Sequence, residues 1–142
     1  MELVIFIGLQ ASGKTTFYHT HFAATHQHIS KDLFPNNKNK DRRQTQLITT
    51  ALDEGKSVVV DNTNPTTTER APLIEIGSSY SCNIIGYYFN LPLSLCLERN
   101  LQRLGKAKVP EVGIYATVKK LTKPSFSEGF HQLFDIDTSL VD

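Results

Sequence analysis

Five apolar residues, Leu3 to Ile7, run without interruption into Gly8-Leu9-Gln10-Ala11-Ser12-Gly13-Lys14-Thr15. A continuous apolar run of that length suits a strand covered on both faces, and the octet after it satisfies G-x-x-x-x-G-K-[ST] at every fixed position. The glycines let the backbone turn its N–H groups around an anion, and a helix opening at the lysine adds the positive end of its dipole. Lys14 brings charge to β- and γ-phosphate oxygens, and Thr15 offers a hydroxyl to Mg²⁺. A strand, a phosphate cradle and a helix in that order predict an α/β chain. They place Gly8, Ala11, Ser12, Gly13, Lys14, Thr15 and Thr16 around a nucleoside triphosphate with Mg²⁺, a cradle that switches, motors and kinases share.

The remaining apolar runs agree. Ser57 to Val60 and Asn83 to Phe89 are continuous and rich in β-branched or aromatic residues, as central parallel strands should be. His26 to Ile29 and Gln132 to Ile136 carry polar interruptions that suit sheet edges. Helical spacing of apolar residues predicts helices at 14–23, 41–54, 66–78, 92–104 and 112–121. Asp41 and Thr66 are suited to helix starts, Gly55 to a helix end, and Pro92 and Pro110 to first turns. The expected architecture is a three-layer α/β sandwich around a five-stranded, mostly parallel sheet, formed by one domain over 1–142.

The chain has 142 residues, 15 Lys+Arg against 14 Asp+Glu, and a formal charge of +1. A strongly basic nucleic-acid-binding chain is thereby excluded, and any polyanion site must be local. Two stretches concentrate positive charge. Between Arg99 and Lys123 seven cations face Glu111 alone, and Lys31, Lys38, Lys40, Arg42 and Arg43 outnumber Asp32 and Asp41. Cys82 and Cys96 form no CxxC and read as buried thiols of a reducing compartment. The short first apolar run is neither a signal peptide nor a membrane span. A cytoplasmic location follows, or a nuclear one in a eukaryotic cell.

Three polar positions add chemistry. Asp32 follows the second strand, at the carboxyl edge where open α/β sheets bind ligands, and a carboxylate there can accept a hydroxyl proton. Asp61 ends the third strand, where an acidic residue near Mg²⁺ belongs. Arg99 and Arg103 stand four apart and share one face of the predicted 92–104 helix. Four histidines between His19 and His28 lack the spacing and companion ligands of a zinc site.

GLQASGKTTF, SKD after the second strand, VVVDNTNPTTTER, ERNLQRLGKAKVP and PSFSEGF together resemble the kinase domain of polynucleotide 5′-hydroxyl kinases, over nearly the whole chain. The resemblance implies a P-loop kinase fold that transfers the γ-phosphate of ATP to the 5′-hydroxyl end of DNA or RNA, as in nucleic acid repair. It makes Asp32 the general base, Arg103 a lid arginine over the phosphates with Arg99 beside it, and 99–110 the lid. It assigns Asp61, Asn64 and Arg70 to a DNTNPxxxxR element at the acceptor, with Thr15 and Asp61 near the metal. Two departures bear on acceptor binding. Pro35 stands where the phage-type enzyme has an arginine, and Lys31, a substrate-binding candidate, stands where relatives have one, without the planar fork that grips phosphate. A P-loop kinase acting on a nucleoside, sugar or antibiotic hydroxyl is the runner-up, and a nucleotide-binding switch or accessory ATPase is the non-enzymatic alternative.

Overall fold

The computed structural model describes residues 1–139; residues 140–142, the end of the expected domain, lie outside them. Five strands, β1 (Glu2–Gly8), β2 (His26–Ile29), β3 (Ser57–Asp61), β4 (Asn83–Phe89) and β5 (Gln132–Ile136), form one sheet in the order β2-β3-β1-β4-β5. Every pairing is parallel, so the expectation of a mostly parallel sheet understated the case. The polar-interrupted segments are the two edges, and the continuous apolar runs are the three inner strands.

The helices are α1 (Lys14–His21), α2 (Lys40–Asp53), α3 (Thr67–Ser79), α4 (Leu93–Leu101) and α5 (Glu111–Lys120). Alternation along β1 divides the core. Leu3, Ile5 and Ile7 pack with Ile48, Leu52, Leu73 and Ile74 of α2 and α3. Val4 and Phe6 face the other way, onto Tyr18 and Phe22. Helices therefore cover both faces, which is why β1 has no polar residue between its ends.

Local signals set the boundaries. Thr66 caps α3 by accepting the Glu69 N–H at 3.1 Å. Asn39, not Asp41, caps α2, its side chain accepting the Arg42 N–H at 3.1 Å. Gly55 ends that helix at φ 78, a left-handed conformation that suits glycine. Cys82 and Cys96 are both free and buried. Helix α4 stops at Leu101, three residues short of the predicted end. Arg103 is thus off the helix, and its expected place on one helical face with Arg99 is corrected. Asn100 is the cause: its buried side chain donates to the Val109 carbonyl at 2.8 Å and accepts the Val109 N–H at 3.0 Å. That reciprocal pair closes 101–109 into a loop.

Candidate active site

The turn between β1 and α1 is built around two left-handed residues, Ala11 at φ 63 and Gly13 at φ 95. Gly8 is required by close approach, because a Cβ there would lie 2.9 Å from Phe89 Cβ and 3.0 Å from its carbonyl oxygen. Lys14 folds into the resulting concavity, with Nζ donating to the Gly8 carbonyl at 3.0 Å and the Leu9 carbonyl at 2.6 Å. Burial pushes the Lys14 pKa down from 10.5 to about 8, against the opposing pull of Asp61. A desolvated ammonium inside a ring of backbone dipoles is a receptor for a polyphosphate.

Thr15 opens the next turn of α1 and donates its hydroxyl to Asp61 Oδ2 at 2.8 Å. Asp61 is 4% exposed, at the carboxyl end of β3. The pair supplies two hard oxygen donors beside Lys14. Among the described residues no group of three His, Cys, Asp or Glu is placed to hold a metal. A hydroxyl, a carboxylate and phosphate oxygens are what Mg²⁺ takes in place of an all-protein cage, so the residues present fit that ion.

Two cavities open on this cradle. One, about 1080 Å³, is bordered by Lys14, Thr15, Lys31, Asp32, Asp61 and Arg103. The other, about 600 Å³, is bordered by Gly13, Thr16, Phe17, Arg99, Arg103 and Thr138. Ala11 and Arg103 border both. The closed loop 101–109 thus brings Arg103 to the boundary between two chambers, although it is not on α4. Arg99 hydrogen-bonds Thr138, whose hydroxyl donates to the Ser12 carbonyl at 2.7 Å, tying the end of β5 to the phosphate loop.

Asp32 stands on a short 3-10 turn, Lys31–Leu33, directly after β2. Ser30 caps it by accepting the Asp32 N–H at 3.3 Å. The Asp32 carboxylate is exposed to the larger cavity and has no hydrogen-bond or ion-pair partner among the described residues. Lys31 beside it is ion-paired with Asp41.

The DNTNPxxxxR element divides. Asp61 faces the cradle, whereas Asn64 spends its amide on the Phe6 carbonyl at 2.8 Å, stitching the end of β3 to β1. Arg70 does not reach the cavity. It is 0% exposed, and its guanidinium is taken by Glu128 and by the carbonyls of Asn64 and Thr122. Its expected contact with substrate is corrected: both Glu128 oxygens and two backbone carbonyls hold the guanidinium inside the protein. The two basic stretches are also partly spent internally, Lys31 on Asp41 in one, and Lys120 on Glu69 at 3.6 Å and Lys123 on Asp135 at 3.5 Å in the other.

Several site residues lie outside the sequence reading. Asn100 and Thr138 fix the 101–109 loop and the β5 end, and Gln44 accepts from Asn62 at 2.6 Å on the floor of the larger cavity. His28 meets Asp61 at 2.8 Å. The available signal for His28 was its place in a strand beside the one that ends in Asp61.

Other proteins are similar to this chain in sequence or in fold. The chain is 29% identical over 140 residues to a protein of Arabidopsis thaliana named transcription factor bHLH140, covering 92% of this chain and 15% of that protein. It is 26% identical over 139 residues to the bifunctional polynucleotide phosphatase/kinase of Schizosaccharomyces pombe, covering 95% of this chain and 33% of that protein. The chain thus spans a third or less of the length of these curated relatives. The crystal structure of a sugar kinase from Janibacter sp. HTCC2649 superimposes with a TM-score of 0.72 at 16% identity, covering 96% of this chain and 85% of that one. The fold is that of the P-loop kinases. With the family model matching residues 3–124, the chain belongs to the AAA domain family.

Proposed function

We propose that the protein transfers the γ-phosphate of ATP to the 5′-hydroxyl end of a DNA or RNA strand, with Asp32 as general base. The observation that carries this reading is the unpartnered Asp32 carboxylate, exposed in the cavity that Lys14, Thr15 and Asp61 also border. A carboxylate so placed can accept the proton of an acceptor hydroxyl as that oxygen attacks phosphorus.

The smaller cavity takes the nucleoside end of ATP, between Thr16 and Phe17 on α1, Arg99 on α4 and Thr138 after β5. Gly8, Ala11, Ser12 and Gly13 present backbone N–H groups to the phosphates. Lys14 leaves its carbonyl partners for the β- and γ-oxygens. Arg103, at the boundary of both chambers, meets charge developing on the transferred group. Thr15 and Asp61 would hold Mg²⁺, which would supply charge neutralisation at the phosphates. The polynucleotide acceptor is supported by the motif resemblance and by likeness to the phosphatase/kinase of S. pombe. Residues 99–110 act as the lid of a single kinase domain over 1–142.

A specific observation favours a second reading, a small-molecule hydroxyl as acceptor. Lys31 is neutralised by Asp41, and Asp41 and Glu69 both border the acceptor cavity, where a phosphate-bearing strand is better served by unpaired cations. Transfer of labelled γ-phosphate to 5′-hydroxyl DNA and RNA oligonucleotides, nucleosides and sugars separates the two. Asp32→Asn is expected to lower turnover on the true acceptor by about 10² to 10⁴ while leaving ATP affinity intact. An equal loss of ATP affinity would place Asp32 at the metal and remove the base assignment.

A further inference from the structure

His28 is the penultimate residue of β2 and pairs in register with Val59 of β3. Side chains alternate along a strand, so Asp61, two residues beyond Val59, projects from the same face of the sheet as His28. Helix α1 covers this face, its Tyr18 packing with Val59. The topology therefore forces the imidazole, the carboxylate and α1 together, and four side chains line up there.

Tyr18 lies flat on the His28 ring, with centroids 4.1 Å apart and planes 16° apart. The Tyr18 hydroxyl donates to the His26 carbonyl at 2.6 Å, which fixes the tyrosine to the strand that carries His28. His28 Nε2 meets Asp61 Oδ2 at 2.8 Å. The same oxygen accepts the Thr15 hydroxyl, also at 2.8 Å. Thr15 and Tyr18 are three apart on α1, so one helical face supplies both ends of the chain of contacts. A carboxylate oxygen here can only accept, so the proton of the contact sits on His28 Nε2.

We infer that His28 is a positioning residue for Asp61. Its Nε2–H, together with the Thr15 hydroxyl, claims Oδ2, holds the carboxylate in one rotamer and leaves Oδ1 free. Two fixed donors on one oxygen prepare the other for the cation that Thr15 and Asp61 fit, as partners of a metal-binding carboxylate commonly do. Tyr18 keeps the ring in the plane this requires. The inference rests on the ATP–Mg²⁺ reading, and it assigns work to a histidine outside the cradle and the acceptor cavity.

The test is calorimetric titration of ADP into wild type, His28→Ala and His28→Gln, each in Mg²⁺ and in EDTA, with phosphoryl transfer followed over a Mg²⁺ series. His28→Ala is expected to keep the EDTA affinity for ADP and to need at least about 10-fold more Mg²⁺ for half-saturation. His28→Gln, whose amide N–H reaches the place of Nε2, is expected to recover most of that shift. Unchanged Mg²⁺ half-saturation in His28→Ala overturns the inference. So does an equal loss in both variants accompanied by weaker binding in EDTA, which marks a purely structural role. If wild type binds ADP identically with and without Mg²⁺, the ATP–Mg²⁺ reading itself falls, an outcome distinct from a failure of the variant alone.

Discussion

Arg70 and Glu128, 58 residues apart, meet in a forked ion pair, Nε to Oε1 at 2.8 Å and Nη2 to Oε2 at 3.1 Å. Glu128 also closes a capping box on Ser125, and Arg70 Nη1 reaches the carbonyls of Asn64 and Thr122 at 2.9 and 3.0 Å. One buried guanidinium thus binds the loop after β3, the loop after α5 and the turn before β5.

Its removal is a stability event. Arg70→Ala leaves the Glu128 carboxylate uncompensated in the interior and is expected to cost about 3 to 5 kcal/mol of folding free energy. Activity per folded molecule is expected to change little, since the side chain does not border the cavity. Urea denaturation, read beside turnover normalised to the folded fraction, checks both statements. A stable variant with a raised acceptor KM would restore a substrate contact for Arg70.

Lys14 gives the site a pH signature. With its pKa at about 8 in the folded chain against 10.5 in its ordinary state, the unfolded chain holds a proton that the folded chain has released between those values. Stability therefore rises with pH across about 8 to 10.5, and the burial penalty is fully present below 8. Bound phosphates favour the charged ammonium again, so nucleotide binding near pH 9 is expected to take up close to one proton. Affinity should fall as pH rises past 8. Calorimetry of ADP binding at pH 9 in two buffers of different ionisation enthalpy measures the uptake, and Lys14→Met should abolish it. Equal heats in both buffers for wild type would show that Lys14 stays charged in its cradle.

What the residue pattern made legible was whatever depends on short range. The cradle, the continuous inner strands and the polar edges follow from neighbours in the chain. Errors arose where a distant partner decides. Leu101 and Leu104 extend a helical apolar rhythm, yet they are 60% and 87% exposed, because the Asn100–Val109 pair ends α4 and turns both leucines outward. Arg70 follows DNTNP at a motif spacing, but Glu128 determines where its guanidinium points. His28 looked like a polar interruption of an edge strand until β3 set Asp61 beside it.

The same loop makes Arg103 testable. Held by its own Nη1 donation to the Ala107 carbonyl at 3.1 Å, it keeps its remaining donors for the boundary between the two cavities. Arg103→Ala should cut turnover by at least about 10²-fold, the scale of losing one preorganised donor to transition-state charge. Arg103→Lys should restore only part of it, because a planar fork and not charge alone matches phosphate oxygens. Asn100→Ala, which frees the loop without touching its cations, should reproduce a share of the loss. Single-turnover rates at saturating ATP separate these effects from binding. Full activity in the alanine variant would mean that the loop directs its charge into solvent.

Acceptor class can be read from ionic strength. Lys31 is committed to Asp41, so a polynucleotide must find its phosphate contacts at Lys40 and Lys106, which border the larger cavity, and at the neighbouring exposed Lys38, Arg42 and Arg43. Each contact with a single strand releases counterions, giving a log–log slope of affinity against salt of about −0.7 per phosphate neutralised. Acceptor KM is therefore expected to climb steeply with salt, and ATP KM, set inside the buried cradle, to climb less. Neutralising Lys40 and Lys106 together should flatten that slope by about 1.4 and raise acceptor KM at low salt while sparing ATP KM. Neutralising the exposed Lys56, already paired with Glu54 at 2.8 Å, serves as the control and should leave the slope alone. A slope near zero, with a bare nucleoside phosphorylated as efficiently as an oligonucleotide, would assign the cavity to a small hydroxyl compound.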